Sequence, residues 1–374
     1  MNALHINTNY INTALHQVMI RHLDKKGITS TVFVPVCRED IENIVITPDE
    51  NAIVSECFHH YDRVIYHIKQ EKILHSLLNS VEKIEQYDVI HAYTLFTDGN
   101  CAMKLSQKYG IPYVVAIRDT DVNAFFKHML HLRALGIRVM KNASAIFFLS
   151  EAYKKQVVDK YVPAKIRDEL EKKTYIIPNG IDDFWINRSL KDIKHFDRTV
   201  PTNIVFAGRI NKRKNPLVTA EAISLLNQDG YNIKFNVAGK IEDKEIFHKL
   251  EEFSFVNYLG TQNKNELIET YKNNDIFVMP SLTETFGLVY AEAMSQGLPV
   301  VYSRGQGFDG QFPDGIVGEK CEATCTNSVA NAIKKIISDY SRYSLNCVKN
   351  CKRFNWDSIC DNYISIYENI IHQC

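Results

Sequence analysis

Short apolar runs separated by amphipathic helices recur along almost the whole chain, and no other feature narrows the fold as much. Leu4–Ile6, Thr31–Val36, Asp88–Ala92, Pro112–Ile117, Ala145–Leu149 and Thr174–Ile177 form a first series. Such runs carry no polar face, so they read as strands buried on both sides, which is the habit of a parallel sheet. Helical patterns lie between them at Ala14–Lys26, with Gly27 as its C-cap, and at about Tyr66–Gln86, Cys101–Tyr109, Ala124–Lys141 and Glu151–Tyr161. A polar, aperiodic segment, Asp183–Thr202, reads as a linker. A second series follows, with strands at Ile204–Ala207, Ile233–Ala238, Phe255–Leu259, Ile276–Met279 and Pro299–Tyr302. Its helices include Pro216–Asn227, Lys264–Asn273 and Phe286–Gln296. At 374 residues the chain is too long for one compact core. The expectation is an α/β chain of two Rossmann-like, doubly wound parallel-sheet domains, residues 1–182 and 202–350.

Composition removes several classes of function. Formal net charge is zero, so the chain has no basic footprint for nucleic acid. The nine cysteines are scattered without a C-x2-C pair, and the pairs Cys321/Cys325 and Cys347/Cys351 have no histidine cluster to complete a metal site. Reduced thiols are expected. Met1-Asn-Ala-Leu-His-Ile-Asn enters a strand without a basic region and long apolar core, and no run reaches the ~18 apolar residues of a membrane span. A cytoplasmic protein is expected.

Two stretches carry the chemistry. In Pro280-Ser-Leu-Thr-Glu284-Thr-Phe-Gly-Leu-Val-Tyr-Ala-Glu292-Ala-Met, Pro280 ends a strand and a turn places Glu284 just before a helix. Gly287 leaves room for a ligand, and the unsatisfied N–H groups of a helix start attract an anion. Carboxylates beside an anion site suit a ligand with both hydroxyls and phosphate. Taken alone, two glutamates are also what an ordinary βα unit carries in its first turn. The second stretch, Gly208-Arg209-Ile-Asn-Lys-Arg-Lys214, is a basic loop at the carboxyl end of a strand, where α/β sheets bind ligands. Arg209 offers a planar fork for phosphate oxygens and Lys214 a compact charge, while Lys212 and Arg213 read as surface charges.

Glu284 and Glu292, with Thr-Phe-Gly-Leu between them and Ala-Met after, resemble the E-x7-E motif of family 4 glycosyltransferases, retaining enzymes of the GT-B fold. Gly208-Arg209…Lys214 resembles the G-R-x4-K pyrophosphate clamp of that family. The resemblance continues through Ser150–Tyr153, Ile177–Asp182, Val237-Ala-Gly239 and Tyr258-Leu-Gly260, and ends with Phe354-Asn-Trp356. It implies two domains facing across a cleft, with a helix at about 356–372 returning to the first. It also implies catalytic roles for Arg209, Lys214 and Glu284. Donor contacts would come from Gly208, Tyr258, Leu259, Phe286, Gly287, Leu288 and Glu292. The donor would be a UDP- or GDP-linked sugar, held without metal or other cofactor, and attack would come from the face the diphosphate leaves. Other readings of a two-lobed α/β chain are a sugar-binding protein without chemistry, and an epimerase or phosphorylase of the same architecture.

The first domain departs from the family pattern. Asn7-Thr-Asn-Tyr-Ile-Asn-Thr13 stands where a glycine-rich turn is usual, and Arg118-Asp-Thr-Asp121 replaces a histidine-led motif. Asn9, Asn12, Arg118 and Asp121 are therefore the acceptor-side candidates, toward a glycan that is free or lipid-linked, in the style of polysaccharide-building relatives. Asp119-Thr-Asp121 is also a D-x-D pattern of the kind that holds a divalent metal in an unrelated fold. His91 and Asp98 are further residues able to line a cleft. Residues 124–141, with Lys127, His131 and Arg138 on one helical face, read either as a domain helix or as a peripheral contact with an anionic membrane surface.

Overall fold

The computed structural model describes residues 1–372. They divide into two compact units, one of 1–149, 154–180 and the chain from Trp356 onward, the other of 150–153 and 181–355.

The first unit is built on a seven-stranded parallel sheet. Its strands are β1 (Asn2–Ile6), β2 (Thr29–Cys37), β3 (Ala52–Phe58), β4 (Val89–Ala92), β5 (Tyr113–Ala116), β6 (Ala145–Phe148) and β7 (Thr174–Ile176). Their order is β3-β2-β1-β4-β5-β6-β7, so the winding reverses between β1 and β4. The loops leaving those two strands frame the place where doubly wound sheets bind ligands. The helix Trp356–Ile371 joins this unit and packs on the helix Ala14–Lys25. Trp356, Tyr363 and Tyr367 enter a core shared with strands β1, β2, β4, β5 and β6. The Tyr367 hydroxyl lies 2.6 Å from His91 Nδ1, and Asp357 lies 2.8 Å from His22 Nδ1.

The second unit has a six-stranded parallel sheet of order β10-β9-β8-β11-β12-β13. Its strands are β8 (Thr202–Ala207), β9 (Ile233–Ala238), β10 (Val256–Gly260), β11 (Ile276–Val278), β12 (Val300–Ser303) and β13 (Gly318–Cys321). Here the reversal falls between β8 and β11, whose following loops are the two chemistry-bearing stretches of the sequence.

Three expectations need correction. Asp183–Thr202 is not a free linker. It opens with a short helix, Asp183–Asn187, capped by the Asp182 carboxylate, and then runs along the second unit. Leu190 N–H donates to Ser295 O at 2.8 Å, and the Lys194 ammonium donates to the carbonyls of Tyr271 (3.0 Å) and Lys272 (2.6 Å). A cation at the exposed carbonyl end of the helix Lys264–Lys272 anchors the segment better than periodicity reveals. Residues 124–141 are not one helix either. A π-turn, Asp121–Phe126, gives way at Met129 to a short 3-10 turn and then to the helix Arg133–Asn142. Arg133 Nε donates to Phe126 O at 2.7 Å, taking a carbonyl that a continuous helix would use, so one 100° phase does not run through the stretch. Third, the helix expected over Phe286–Gln296 is shorter, Leu288–Ser295.

Among the described residues no helix is long and apolar enough to cross a membrane. The eight described cysteines are free, and Cys37, Glu39 and His60 are the only close group of metal-ligating side chains among those residues.

Candidate functional site

In the second unit the basic loop after β8 is held by its own polar residues. Asn211 Oδ1 accepts from Lys214 N–H at 2.9 Å, and its Nδ2 donates to Glu242 at 2.6 Å. Asn215 sits in the left-handed region and donates to the carbonyls of Pro280 (3.1 Å) and Ala323 (2.7 Å) before Pro216 starts a helix. Arg213, expected as a surface charge, donates from Nη1 to Thr283 O at 3.1 Å, and its own carbonyl accepts from Leu282 N–H at 2.8 Å. It fastens the basic loop to the loop after β11.

That second loop is fixed from its other side as well. Glu284 N–H donates to the Gln306 amide oxygen at 2.9 Å, and Gly307 N–H donates to Glu284 O at 2.8 Å. Glu284 is thereby held with its side chain against Lys214, and the two form an ion pair with 9% and 13% of their side chains exposed. Gly287 follows with φ +78°, and a Cβ there would also lie 2.5 Å from the Tyr290 ring. Only glycine meets both conditions. It positions the helix Leu288–Ser295 so that the N–H groups of Phe286, Gly287 and Leu288 donate no hydrogen bond among the described residues. Phe286 itself is buried and packs edge-on against Phe354, so only its backbone is open to the loop.

The remaining expected groups fall around this centre. Gly239 (φ +143°) touches Gly208 so closely that a Cβ would stand 1.9 Å from Gly208 O. Two glycine turns therefore meet at the carboxyl ends of β8 and β9. Arg209 lies in the open, paired with Glu242 at 3.1 Å. Glu292 is half-buried in the second turn of its helix, away from the Lys214–Glu284 pair. Desolvation pushes its pKa up to about 7, opposed by the Lys264 ammonium and reinforced by Asp182. Glu284 and Glu292 thus face different partners. Tyr258 is more than a backbone position, since its hydroxyl donates to Gly239 O at 2.9 Å and its ring meets Phe247. Leu259 is half-buried beside it.

In the first unit a cavity of about 490 Å³ opens at the carboxyl ends of β1 and β4. Asn9, Asn12 and Asp121 line it. Asp121 is fully committed to the protein. Its carboxylate accepts from the N–H groups of Leu95 (3.0 Å), Phe96 (3.2 Å) and Arg118 (2.9 Å), and burial pushes its pKa up to about 6 against those donors. That use removes it as an obvious metal ligand. Arg118 is not part of the cavity wall. It is buried and donates from Nη1 to Asn179 Oδ1 at 3.2 Å. His91 is buried and stacked on Tyr93, and Asp98 accepts from Thr8 behind the wall.

Sequence reasoning missed Arg63 and Lys69, which enter the cavity with Tyr66. Arg63 ends the 3-10 turn His60–Arg63 and Lys69 stands in the first turn of the helix Tyr66–Ser80, so no single helical period joins them in the sequence.

Comparison with known proteins places both units. A family model described as glycosyl transferases group 1 matches residues 189–354, and one described as glycosyltransferase family 4 matches residues 17–183. An uncharacterized glycosyltransferase, MJ1607, of Methanocaldococcus jannaschii is 25% identical over 76% of each chain. A D-inositol 3-phosphate glycosyltransferase of Pseudarthrobacter chlorophenolicus is 26% identical over 71% of this chain and 68% of its own. Among solved structures, sucrose-phosphate synthase of Thermosynechococcus elongatus aligns over 100% of both chains with a TM-score of 0.76 at 17% identity. HepE of Anabaena, in complex with UDP, aligns over 99% of this chain and 100% of its own with a TM-score of 0.73 at 16% identity.

Proposed function

The chain belongs to the family 4 glycosyltransferases and has the GT-B fold, and from that premise we propose that it transfers a sugar from a nucleoside diphosphate, UDP before GDP, with retention of configuration. The acceptor is a hydroxyl of a glycan or lipid-linked glycan, in the assembly of a cell-surface polysaccharide. The observation that carries the reading is the buried Lys214–Glu284 pair, set beside unused N–H groups at a helix start. A buried ion pair is a weak source of stability, because desolvation offsets most of its attraction. A diphosphate sugar makes sense of it by taking each partner separately, with Lys214 on phosphate and Glu284 on the hydroxyls of the sugar.

Arg209 leaves Glu242 to grip the diphosphate, and the N–H groups of Phe286 to Leu288 complete the anion site. Glu292 holds the ribose hydroxyls. As the bond from the anomeric carbon to the diphosphate oxygen breaks, its electron pair goes to the diphosphate, where these donors stabilise it. The acceptor oxygen bonds to the anomeric carbon from the same face and gives its proton to the departing phosphate. Two cations and a helix terminus supply the charge that a metal ion supplies elsewhere, so donor binding is expected without magnesium.

Calorimetry with UDP and GDP, with and without magnesium, tests this on the wild type and on Arg209→Ala and Glu292→Ala. Metal-independent binding of UDP, weakened about tenfold or more in each variant, is the expected result. Absence of binding to either nucleotide overturns it. Preference for GDP corrects the donor and leaves the mechanism standing.

A further inference from the structure

In the first unit, the carboxyl ends of β2 and β3 bring together a thiol, a carboxylate and an imidazole that the transferase reading does not use. Cys37 is the last residue of β2, Glu39 stands in the 3-10 turn Arg38–Asn43 that follows, and His60 opens the 3-10 turn His60–Arg63 after β3. The register explains the meeting, because Cys37 pairs with Phe58 and the two exit turns run side by side. One ligand atom from each residue lies within 4.8 Å of the other two, and no other such group comes so close among the described residues. The surrounding bonds hold these side chains as metal ligands are held. His60 Nε2 lies 2.9 Å from Asp40 Oδ1, and Arg63 donates to the other Asp40 oxygen at 2.6 Å, which leaves His60 Nδ1 for an ion. Glu39 is fixed through both oxygens, with His59 Nδ1 2.7 Å from Oε1 and the His60 N–H donating to Oε2 at 3.1 Å.

The same Oε2 accepts from the Cys37 thiol at 3.0 Å. Bonds from Cys37 and His59 hold the pKa of Glu39 down to about 2, while burial and that same bond push the thiol up to about 11. A thiol is a weak donor and a poor partner for a carboxylate. A divalent ion between them satisfies sulfur and oxygen together, and the thiol proton passes to water as the sulfur–metal bond forms. Thiolate, imidazole and carboxylate in one set favour zinc over magnesium or calcium. A tetrahedral zinc ion sets such atoms about 3.3–3.6 Å apart, so closure moves side chains by about 1 Å. Glu39 and His60 are exposed, which makes that movement cheap and gives the ion a way in. We infer that Cys37, Glu39 and His60 bind a zinc-class divalent ion, with water in the fourth position, that ties the segment after β2 to the segment after β3. Cys37, Asp40 and Arg63 also line the cavity at the ends of β1 and β4, so the ion fixes one wall of it. The inference stands apart from the transferase reading.

The test uses the full chain, stripped with chelator and kept reduced, as wild type, Cys37→Ser and His60→Ala. Cys325→Ser, at an exposed cysteine outside the group, is the control. Zinc and magnesium binding are measured by calorimetry, and cobalt binding by absorption. The expected result is one zinc ion per chain without comparable magnesium binding. Zinc affinity should weaken about tenfold or more in Cys37→Ser and His60→Ala and stay unchanged in Cys325→Ser. Cobalt should give a near-ultraviolet thiolate charge-transfer band that Cys37→Ser abolishes. Zinc should also raise the melting temperature of the wild type and not that of His60→Ala, a substitution at an exposed residue that the fold tolerates. No zinc binding by the wild type, or equal binding with an intact cobalt band in Cys37→Ser, overturns the inference. Binding that survives in Cys37→Ser and His60→Ala and is lost in Cys325→Ser places the ion on another cysteine and overturns it as well.

Discussion

The two units use the same winding and place different chemistry at its reversal. Behind the loop after β1, the first unit buries a neutral cluster in which Asn7 Nδ2 lies 3.0 Å from His16 Nδ1, and His5 and His91 flank Tyr93. Desolvation lowers the pKa of His5 to about 3 and those of His16 and His91 well below the usual histidine value, so they remain uncharged. Behind the loop after β8, the second unit buries an ion pair. The neutral groups form a floor tied to one another and to their neighbours, with His91 Nε2 as the one fully buried ring nitrogen of the three histidines left without a hydrogen bond among the described residues, whereas the proposed function has the opposite charges separate onto a ligand. Equivalent positions in one topology can thus serve as support or as machinery, and side-chain charge decides which.

The largest expected effect comes from unbalancing the charged floor. Glu284→Ala leaves the Lys214 ammonium buried and alone, with an expected loss of about 3–5 kcal/mol in denaturant unfolding. Glu284→Gln with Lys214→Met removes both charges and should recover most of that stability, while UDP affinity falls about tenfold or more for want of the Lys214 ammonium on the phosphate. If the double variant is as unstable as the single one, the pair is structural and the contrast between the units fails. The next effect falls on the open cation. Arg209→Ala should change stability by less than about 1 kcal/mol, since its pair with Glu242 is exposed. UDP affinity should nevertheless fall about tenfold or more. Equal losses in stability and affinity would show that Arg209 works through the loop and not on the ligand.

Much of this contrast was legible in the sequence because buried strands and charged loops have different signatures. The apolar runs at Ala145–Leu149 and Ile204–Ala207 could be little else than inner strands. Strands β3 and β13 went unread for a physical reason. As edge strands they are paired on one side and half-exposed, and their sequences, Ala-Ile-Val-Ser-Glu-Cys-Phe and Gly-Glu-Lys-Cys, carry the polar residues such positions tolerate. In the site, Arg209, Lys214, Glu284 and Glu292 announced themselves by charge beside glycine. Arg213 and Gln306 did not, because their work is to bond backbone atoms of a loop distant in sequence. Arg63 and Lys69 were hidden because they lie on successive elements, and only the fold brings both to one cavity.

Acidity sharpens the comparison at an intermediate scale. The folded pKa of Glu292, about 7, lies above the value of an unfolded glutamate near 4.5. The native state therefore holds a proton between these values that the unfolded chain releases. That contribution is fully present below about pH 4.5 and lost as pH rises through about 7. Glu292→Gln, which cannot ionise, should gain stability relative to wild type at pH 8 and not at pH 4, by about 1 kcal/mol or more in melting or denaturant curves. UDP binding should follow the opposite sense in the wild type, strengthening as the carboxylate ionises through about pH 7, and should lose that pH step in Glu292→Gln. A pH-independent affinity in the wild type would remove Glu292 from the ribose.

The smallest expected effect concerns Tyr258. Its hydroxyl adds a side-chain bond between the exposed edge of β10 and the glycine turn at Gly239, and that turn presses directly on Gly208 at the head of the cationic loop. Tyr258→Phe keeps the ring against Phe247 and removes one partly exposed hydrogen bond, with a cost of about 0.5–1.5 kcal/mol. If the turn is held mainly by its backbone, with Gly239 N–H donating to Gly260 O at 2.8 Å, UDP affinity will change by less than about threefold. A drop as large as that of Arg209→Ala would mean that the hydroxyl sets the position of the whole clamp. The second unit's machinery would then extend from its charged centre to the sheet edge, and its floor would be less rigid than the neutral one in the first.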